Sequence, residues 1–322
     1  MSLGDVSIVI PAFRASDTLG RTIESCLPHV RPSDLIIVID GPDAELEQVA
    51  RDCAPGARIL AQPLGRGAPA CRNLGLELAE TPFVMFLDAD DYLEGPLLPG
   101  ACARARATQA DVVFGRFAFE YPDGSRIAAD PNIRYGDFRR ATILRRWLLE
   151  DFTPPCAIVW RTDFVRALGG WDESLAKNQD GDIVYRALLR GAIAAGVSEG
   201  QGVYVQHDNP GRISRRHNRR TLESQHRVLE KIRELLPMQP FSAEAELGMA
   251  YYSLAQSAFT IGCDDIGVQA ERTARALGLT GQPGNLAHAL VASMFGLRGK
   301  QKLVGMVRRS IAPSDGAAQA CK

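Results

Sequence analysis

Short apolar runs alternate with amphipathic stretches along the first 90 or so residues. VSIVI at 6–10 is a β-branched run closed by Pro11. From 17 to 27, Leu19, Ile23 and Leu27 recur at helical spacing, with Ser16 or Asp17 as the cap. LIIVI at 35–39 is apolar throughout, as expected of a parallel strand covered on both faces. Residues 44–53 predict a second helix and 58–61 a third strand. Residues 69–79, with Leu74, Leu76 and Leu78, predict a third helix. FVMFL at 83–87 is a fourth buried strand that runs straight into Asp88-Ala89-Asp90-Asp91. This βαβαβαβ order predicts an α/β fold with a doubly wound, mainly parallel sheet.

The middle of the chain is mixed. Residues 111–121 (DVVFGRFAFEY) read as one strand, alternating after Gly115, before a Pro122-Asp123-Gly124 turn. Helices are predicted at 138–149 and 180–189, strands at 157–160 and 202–206, and a short helix at 163–168 stopped by Gly169-Gly170. Beyond 220 the pattern is helical, over 221–236, 243–260, 265–277, 285–295 and 301–311. The stretch 243–277 has helical-hairpin packing, but with no second copy it makes no repeat array. Residues 313–322 are expected to fray. The expected division is a domain over 1–220, its halves meeting near 110, and a helical extension over 221–322.

The composition is that of a globular chain: 322 residues, 46% hydrophobic and 23% charged. Lys+Arg 37 against Asp+Glu 38 leaves a net charge of −1, which argues against a wholesale nucleic-acid binder. Seven scattered cysteines without a CxxC pair suggest reduced thiols in the cytoplasm rather than a disulfide framework or zinc set. No signal peptide is read at the N-terminus, and no run reaches the ~20 apolar residues of a membrane span.

The most informative segment is FVMFLDADD. Residues i and i+2 of a strand face the same way, so Asp88 and Asp90 are expected to project together from the carboxyl edge of the sheet. Two carboxylates held so close repel each other unless a cation lies between or beside them, and no basic residue adjoins them in sequence. Mg²⁺ or Mn²⁺ takes oxygen ligands and completes its shell from substrate phosphates. An acidic strand-to-loop turn is the plainer alternative.

With that context the chain resembles family 2 of the inverting GT-A glycosyltransferases. SIVIPAF is similar to the family's opening strand and loop, and DLIIVIDG to its second strand. GAPACRNLGLELAETPFVMFLDADD resembles its helix–strand–DxD block. LGGWDESL followed by QDGDIVYRALLRG resembles its acceptor-side block. The resemblance covers about residues 4–210 and leaves out the C-terminal helices. Two positions depart from the pattern. Ile39-Asp40 stands for an acidic pair followed by Gly-Ser, and Gln179-Asp180 for a second acidic pair.

The resemblance implies a GT-A-like fold and transfer of a sugar from a nucleotide-diphosphate donor, with UDP favoured, to a saccharide or lipid-linked acceptor. Pro11, Ala12 and Phe13 would lie against the base, and Asp40 would hold the base or ribose or else cap the 42–53 helix. Arg72 would reach the base or phosphates or else sit on a solvated helix face. Asp88 and Ala89 would contact the donor. Asp88, Asp90 and His207 would hold Mn²⁺ or Mg²⁺, with a merely structural histidine as the alternative. Asp180 would be the general base, against an N-cap role that Asp182 fills equally well. Trp171 would form a platform for the acceptor sugar or else pack in the core, and Asn73 is read as structural.

Arg212, Arg215, Arg216, Arg219 and Arg220 crowd into nine residues and call for anionic partners, the donor diphosphate, an acceptor lipid diphosphate or an anionic membrane surface, with a merely solvated loop as the alternative. The tail at 295–311 has the pattern of a basic amphipathic helix for such a surface, or of one docked on the domain. The expected location is therefore cytoplasmic, with peripheral contact at the inner face of the membrane. Other classes fit less well. Gly65-Arg66-Gly67 lacks the third glycine of a dinucleotide fingerprint, and Pro11-Ala12-Phe13-Arg14 is not the Gly-rich loop of a nucleotidyltransferase. The non-enzyme alternative is a binding or scaffold protein on a transferase-like fold, with its helical tail as interaction module.

Overall fold

The computed structural model describes residues 4–207, 218–281, 283, 294 and 296–301. The Rossmann-like half is built from β1 (Val6–Ala12), α1 (Ser16–Cys26), β2 (Leu35–Ile39), α2 (Ala44–Cys53), β3 (Arg58–Ala61), α3 (Ala68–Leu78) and β4 (Phe83–Phe86). Next come β5 (Tyr92–Glu94), α4 (Leu97–Thr108), β6 (Val112–Phe114), β7 (Phe117–Glu120) and β8 (Arg126–Ala129). They are followed by α5 (Pro131–Tyr135), α6 (Arg140–Leu148), β9 (Ile158–Arg161) and α7 (Thr162–Ala167). The remaining elements are α8 (Gln179–Leu189), β10 (Ala194–Gly196), β11 (Gln201–Val205), α9 (Arg219–Leu235), α10 (Glu244–Thr260) and α11 (Asp264–Ala276).

Seven strands form the main sheet in the order β10-β6-β9-β4-β1-β2-β3. β1 is parallel to both β2 and β4, and β9 runs antiparallel between β4 and β6. The apolar runs are divided by their period of two. Val9, Ile36 and Val38 feed one core, while Ile8, Ile10, Ile37 and Ile39 feed the core on the opposite face. Burial on both sides is why these strands carry no polar alternation. β1 continues through Pro11, because its ladder to β4 ends at Val9↔Phe86, before the proline.

A second sheet, β5-β11-β7-β8, stands beside the first. Here the single strand expected over 111–121 is two strands in two sheets. The chain crosses at Gly115-Arg116, where a Cβ on Gly115 would lie 2.3 Å from Leu97 Cδ1. The apolar run hides this crossing, because both halves are buried for different reasons.

The helices α9, α10 and α11 are not a detached module. Leu222, Val228, Leu247, Tyr251 and Ala270 share one continuous core with Val9, Val84 and Ile183 of the sheet domain. Asn218 caps α9, its side chain accepting from Thr221 N at 2.9 Å while Thr221 Oγ1 accepts from Asn218 N at 3.0 Å. Among the described residues no helix is long and apolar enough to cross a membrane. The helices expected at 285–295 and 301–311 lie almost wholly outside the described residues.

Candidate active site

β1 lies between β2 and β4, so the strand order reverses there, and the carboxyl edge at such a reversal is where open α/β sheets bind ligands. At its end Pro11 and Ala12 are buried, and Phe13 emerges 59% exposed. Arg14, in a left-handed conformation (φ 49°), places its guanidinium 5.0 Å from the Phe13 ring. Ala12 O accepts from Asp40 N at 2.8 Å, which puts Asp40 beside this loop. The Asp40 carboxylate accepts from Arg66 N at 2.7 Å and Gly67 N at 3.0 Å, fastening the entry to α3. Capping α2 belongs to Asp43 instead, whose Oδ1 accepts from Leu46 N at 3.0 Å.

The acidic turn after β4 is gripped from α1. Thr22 Oγ1 donates to Asp91 O at 2.7 Å and lies 3.0 Å from Ala89 O, and Arg21 Nη2 lies 3.4 Å from Asp90 O. Asp91 is fully buried and accepts from Val205 N at 2.9 Å, tying the end of β11 to the turn. Two residues further on, His207 Nε2 lies 3.1 Å from Asp90 Oδ2.

Asp88 and Asp90 therefore both have basic partners, contrary to the expectation from their immediate neighbours. The partners come from α3 and from beyond β11, which adjacency in sequence does not reveal. Among the described residues no three His, Cys, Asp or Glu side chains converge as a ready-made metal cage. Asp90 and His207 nonetheless fit a divalent ion. Two ligands at about 2.1 Å and right angles on an octahedral ion are about 3 Å apart, close to the observed spacing.

Arg72 is the electrostatic centre of this edge. Its side chain is only 4% exposed. Nη2 donates to Asp88 Oδ1 at 2.5 Å, and Nη1 lies 3.6 Å from Asp180 Oδ1. The guanidinium stacks 4.4 Å from the Trp171 ring, which meets Phe86 edge-on at 5.3 Å. The solvated-face alternative for Arg72 is thus replaced by a buried cation between two carboxylates. Trp171 is 4% exposed, so it is packed beneath the arginine and is not an open platform for a sugar.

Asp180 sits in the first turn of α8. Its side chain is 43% exposed, while Oδ1 is buried toward Arg72. Burial raises its pKa to about 6, opposed by the Arg72 charge and assisted by Asp88. Neither Asp180 nor Asp182 occupies the cap of α8; that position is Asn178, in a left-handed conformation. Asp182 is 1% exposed, and its two oxygens accept from Lys231 Nζ and Arg186 Nε, each at 2.7 Å.

Several contributors carried no distinctive signal. Asn73 bonds the Trp171 backbone at both ends and also donates to Glu173 Oε1 at 3.0 Å. Glu173 in turn accepts from Arg66 Nη2 at 2.6 Å, joining the loop under Asp40 to the loop that follows Trp171. Asp91 follows the two motif aspartates directly, and its full burial is what distinguishes it. Arg219 pairs with Asp265 at 2.8 Å, so it is engaged within the fold and not held for a phosphate. Arg212, Arg215 and Arg216 lie outside the described residues.

Residues 7–166 match the family model described as Glycosyl transferase family 2. A pre-mycofactocin glycosyltransferase of Mycobacterium tuberculosis is 31% identical over 196 residues, covering 58% of this chain and 40% of that protein. The succinoglycan biosynthesis protein ExoO of Rhizobium meliloti is 27% identical over 221 residues, covering 66% of this chain and 63% of its own length. The chain thus spans only about half the length of these curated relatives. The solved structure of S. aureus TarS 1–349 in complex with UDP-GlcNAc matches with a TM-score of 0.65 at 14% identity, covering 95% of this chain and 92% of that one. At that identity the likeness is one of fold, and it extends over the C-terminal helices.

Proposed function

As a member of glycosyl transferase family 2 through residues 7–166, the chain has the scaffold of a sugar transferase, and we propose that it carries out an inverting transfer. The donor is a nucleotide-diphosphate sugar, with uridine as the base, and the acceptor is a hydroxyl of a saccharide or lipid-linked glycan. The product belongs to a surface polysaccharide or glycoconjugate. UDP-GlcNAc bound to the TarS fold neighbour supports the donor class, and the name of the succinoglycan biosynthesis relative supports the product class.

The observation that carries the reading is Asp180. A half-open carboxylate, its pKa raised to about 6, stands across Arg72 from the acidic turn. A general base works best with a pKa near the working pH. Asp180 takes the proton of the acceptor hydroxyl as that oxygen bonds to the anomeric carbon. The carbon–oxygen bond to the diphosphate breaks, and its electron pair leaves with the nucleoside diphosphate.

Pro11, Ala12, Phe13 and Asp40 face the nucleoside, and Arg72 fixes Asp88 beside Ala89 at the donor side. Asp90 and His207, with Asp88, would hold Mn²⁺ or Mg²⁺, which supplies charge neutralisation on the departing diphosphate. The proposed site of the reaction is the cytoplasm. Of the basic stretch, Arg212, Arg215, Arg216 and Arg220, but not Arg219, are then the candidates for a phosphate or an anionic membrane face.

The test is incubation with a panel of nucleotide sugars, with Mn²⁺ and with chelator, following nucleoside diphosphate release and the anomeric configuration of the product by NMR. Metal-dependent release with an inverted product is expected. The absence of both release and uridine diphosphate binding across the panel overturns the reading.

A further inference from the structure

The loop Trp171–Asn178 carries no helix or strand, yet it places the ring under Arg72 and leads straight into the proposed base. α3 fastens the start of this loop through Asn73, and α9 fastens the rest of it. Ser224 brackets Lys177, its Oγ accepting from Lys177 N at 3.0 Å and donating to Lys177 O at 2.7 Å. One turn on, Arg227 Nη2 donates to Ser174 O at 3.0 Å. A further turn on, Lys231 Nζ bridges Asp172 Oδ2 at 2.6 Å and the buried Asp182 Oδ1 at 2.7 Å. The spacing 224, 227, 231 lays all three on one face of the helix.

The Lys231 bridge is the mechanically informative contact. Asp172 follows Trp171, and Asp182 lies two residues beyond Asp180, so one ammonium pins both ends of the segment. From Asp182 the network continues through Arg186, whose guanidinium donates to Leu168 O at 2.9 Å and Gly170 O at 2.7 Å. Burial would raise the Asp172 carboxyl, but hydrogen bonds from Lys231 and Ser174 hold it down at about 2.

We propose that Lys231 is a positioning residue for the transfer: through Asp172 and Asp182 it sets Trp171 and Asp180 in register, and α9 thereby completes the acceptor side of the site. The helical C-terminal region is then part of the catalytic apparatus. This rests on Asp180 being the base, and the experiment separates the two ideas.

Lys231→Met removes the ammonium while keeping most of the stem that packs along α9, and Lys231→Arg is the conservative rescue. Three readouts are taken: hydrogen exchange of the amides at 173–184, affinity for uridine diphosphate with Mn²⁺, and steady-state transfer. For Lys231→Met, exchange at 173–184 should rise while that at 83–91 stays unchanged. Nucleotide affinity should stay within about threefold, and kcat should fall about 10- to 100-fold, the scale of a misplacement near 1 Å. Lys231→Arg should recover most of the rate. Asp172→Asn, at the more open end of the bridge, should reproduce the effect more mildly and guards against a variant that fails to fold.

Unchanged exchange at 173–184, or nucleotide affinity falling in step with kcat, overturns the proposal. If the wild-type protein transfers no sugar, it is the transferase reading that fails, and the exchange pattern still decides whether Lys231 holds the loop.

Discussion

The carboxamide of Asn73 brackets the backbone of Trp171: Oδ1 accepts from Trp171 N at 2.7 Å and Nδ2 donates to Trp171 O at 3.0 Å. α3 thus holds the loop that starts at Trp171 in the manner of an added strand residue, and the ring it positions carries the Arg72 guanidinium. The neighbouring Gly170 is at φ +66°, and a Cβ there would lie 2.5 Å from Asn73 Oδ1. Asn73→Ala should cost about 2–3 kcal/mol, at roughly 1 kcal/mol for each of its two bonds to Trp171 and up to that again for the exposed bond to Glu173. Gly170→Ala should cost at least as much, through backbone strain plus the collision. The two should be sub-additive, because Asn73→Ala removes the colliding atom and leaves only the strain. A double-mutant cycle by denaturant melts measures this coupling, and strict additivity would show that the contact is not made.

Asp88 and Asp90 are equivalent in a D-x-D pattern and not in the structure. Asp88 is the hydrogen-bonded counter-ion of a buried guanidinium, whereas Asp90 faces His207 in half-open surroundings. Asp88→Ala leaves Arg72 with the more distant Asp180 as its carboxylate partner, beside the Trp171 ring. It should therefore lower stability by about 1–3 kcal/mol even with chelator present, the scale of stranding a buried polar group. Asp90→Ala should melt near wild type without metal and lose only the stabilisation that Mn²⁺ with nucleotide confers. Equal melting of the two variants in chelator would count against the asymmetry.

Thr22 makes a third expectation. Its hydroxyl is buried between the carbonyls of Ala89 and Asp91, with Asp90 between them in the chain. Thr22→Val preserves the shape and leaves those carbonyls short of a donor. A loss of about 1–3 kcal/mol follows, together with weaker Mn²⁺-dependent binding of uridine diphosphate. Calorimetry on the folded variant checks the second part, and unaltered affinity would make Thr22 a stabilising residue only.

The sheet and its acidic edge were legible because burial on both faces writes itself into unbroken apolar runs, and Asp88 closes one of them. The Gly115 crossing was not legible, since β6 and β7 are buried against different partners yet read as one run. Nor was the state of the chemistry-bearing groups. Arg72 stands 16 positions from Asp88 and 108 from Asp180, and only the packing of α3 on the sheet brings the three together. Trp171 looked equally suited to a sugar or a core, and its burial under Arg72 decides for the core. The hold of α9 on the 172–182 segment spans about 50 residues, through side chains that on a helix read as solvated.

The sharpest test lies in Asp180, because stability and chemistry move in opposite directions. Its pKa in the folded chain is raised from the 3.8 of a free aspartate to about 6. Between those values the native state holds a proton that the unfolded chain has released. The stabilising proton is fully bound below 3.8 and lost as pH rises through 6, so ionised Asp180 penalises the fold at neutral pH. Asp180→Asn should accordingly melt higher than wild type above pH 6, with the gap closing toward pH 4. Wild-type kcat should decline as pH falls through about 6, while Asp180→Asn should lose about 10²- to 10⁴-fold in transfer and bind nucleotide and metal normally. Asp182→Asn is the contrasting substitution. It disrupts a buried pair with Lys231 and Arg186 and should cost about 3–5 kcal/mol, with transfer lost through displacement of the loop. If Asp180→Asn melts below wild type at pH 7 and retains transfer, the base has been assigned to the wrong carboxylate.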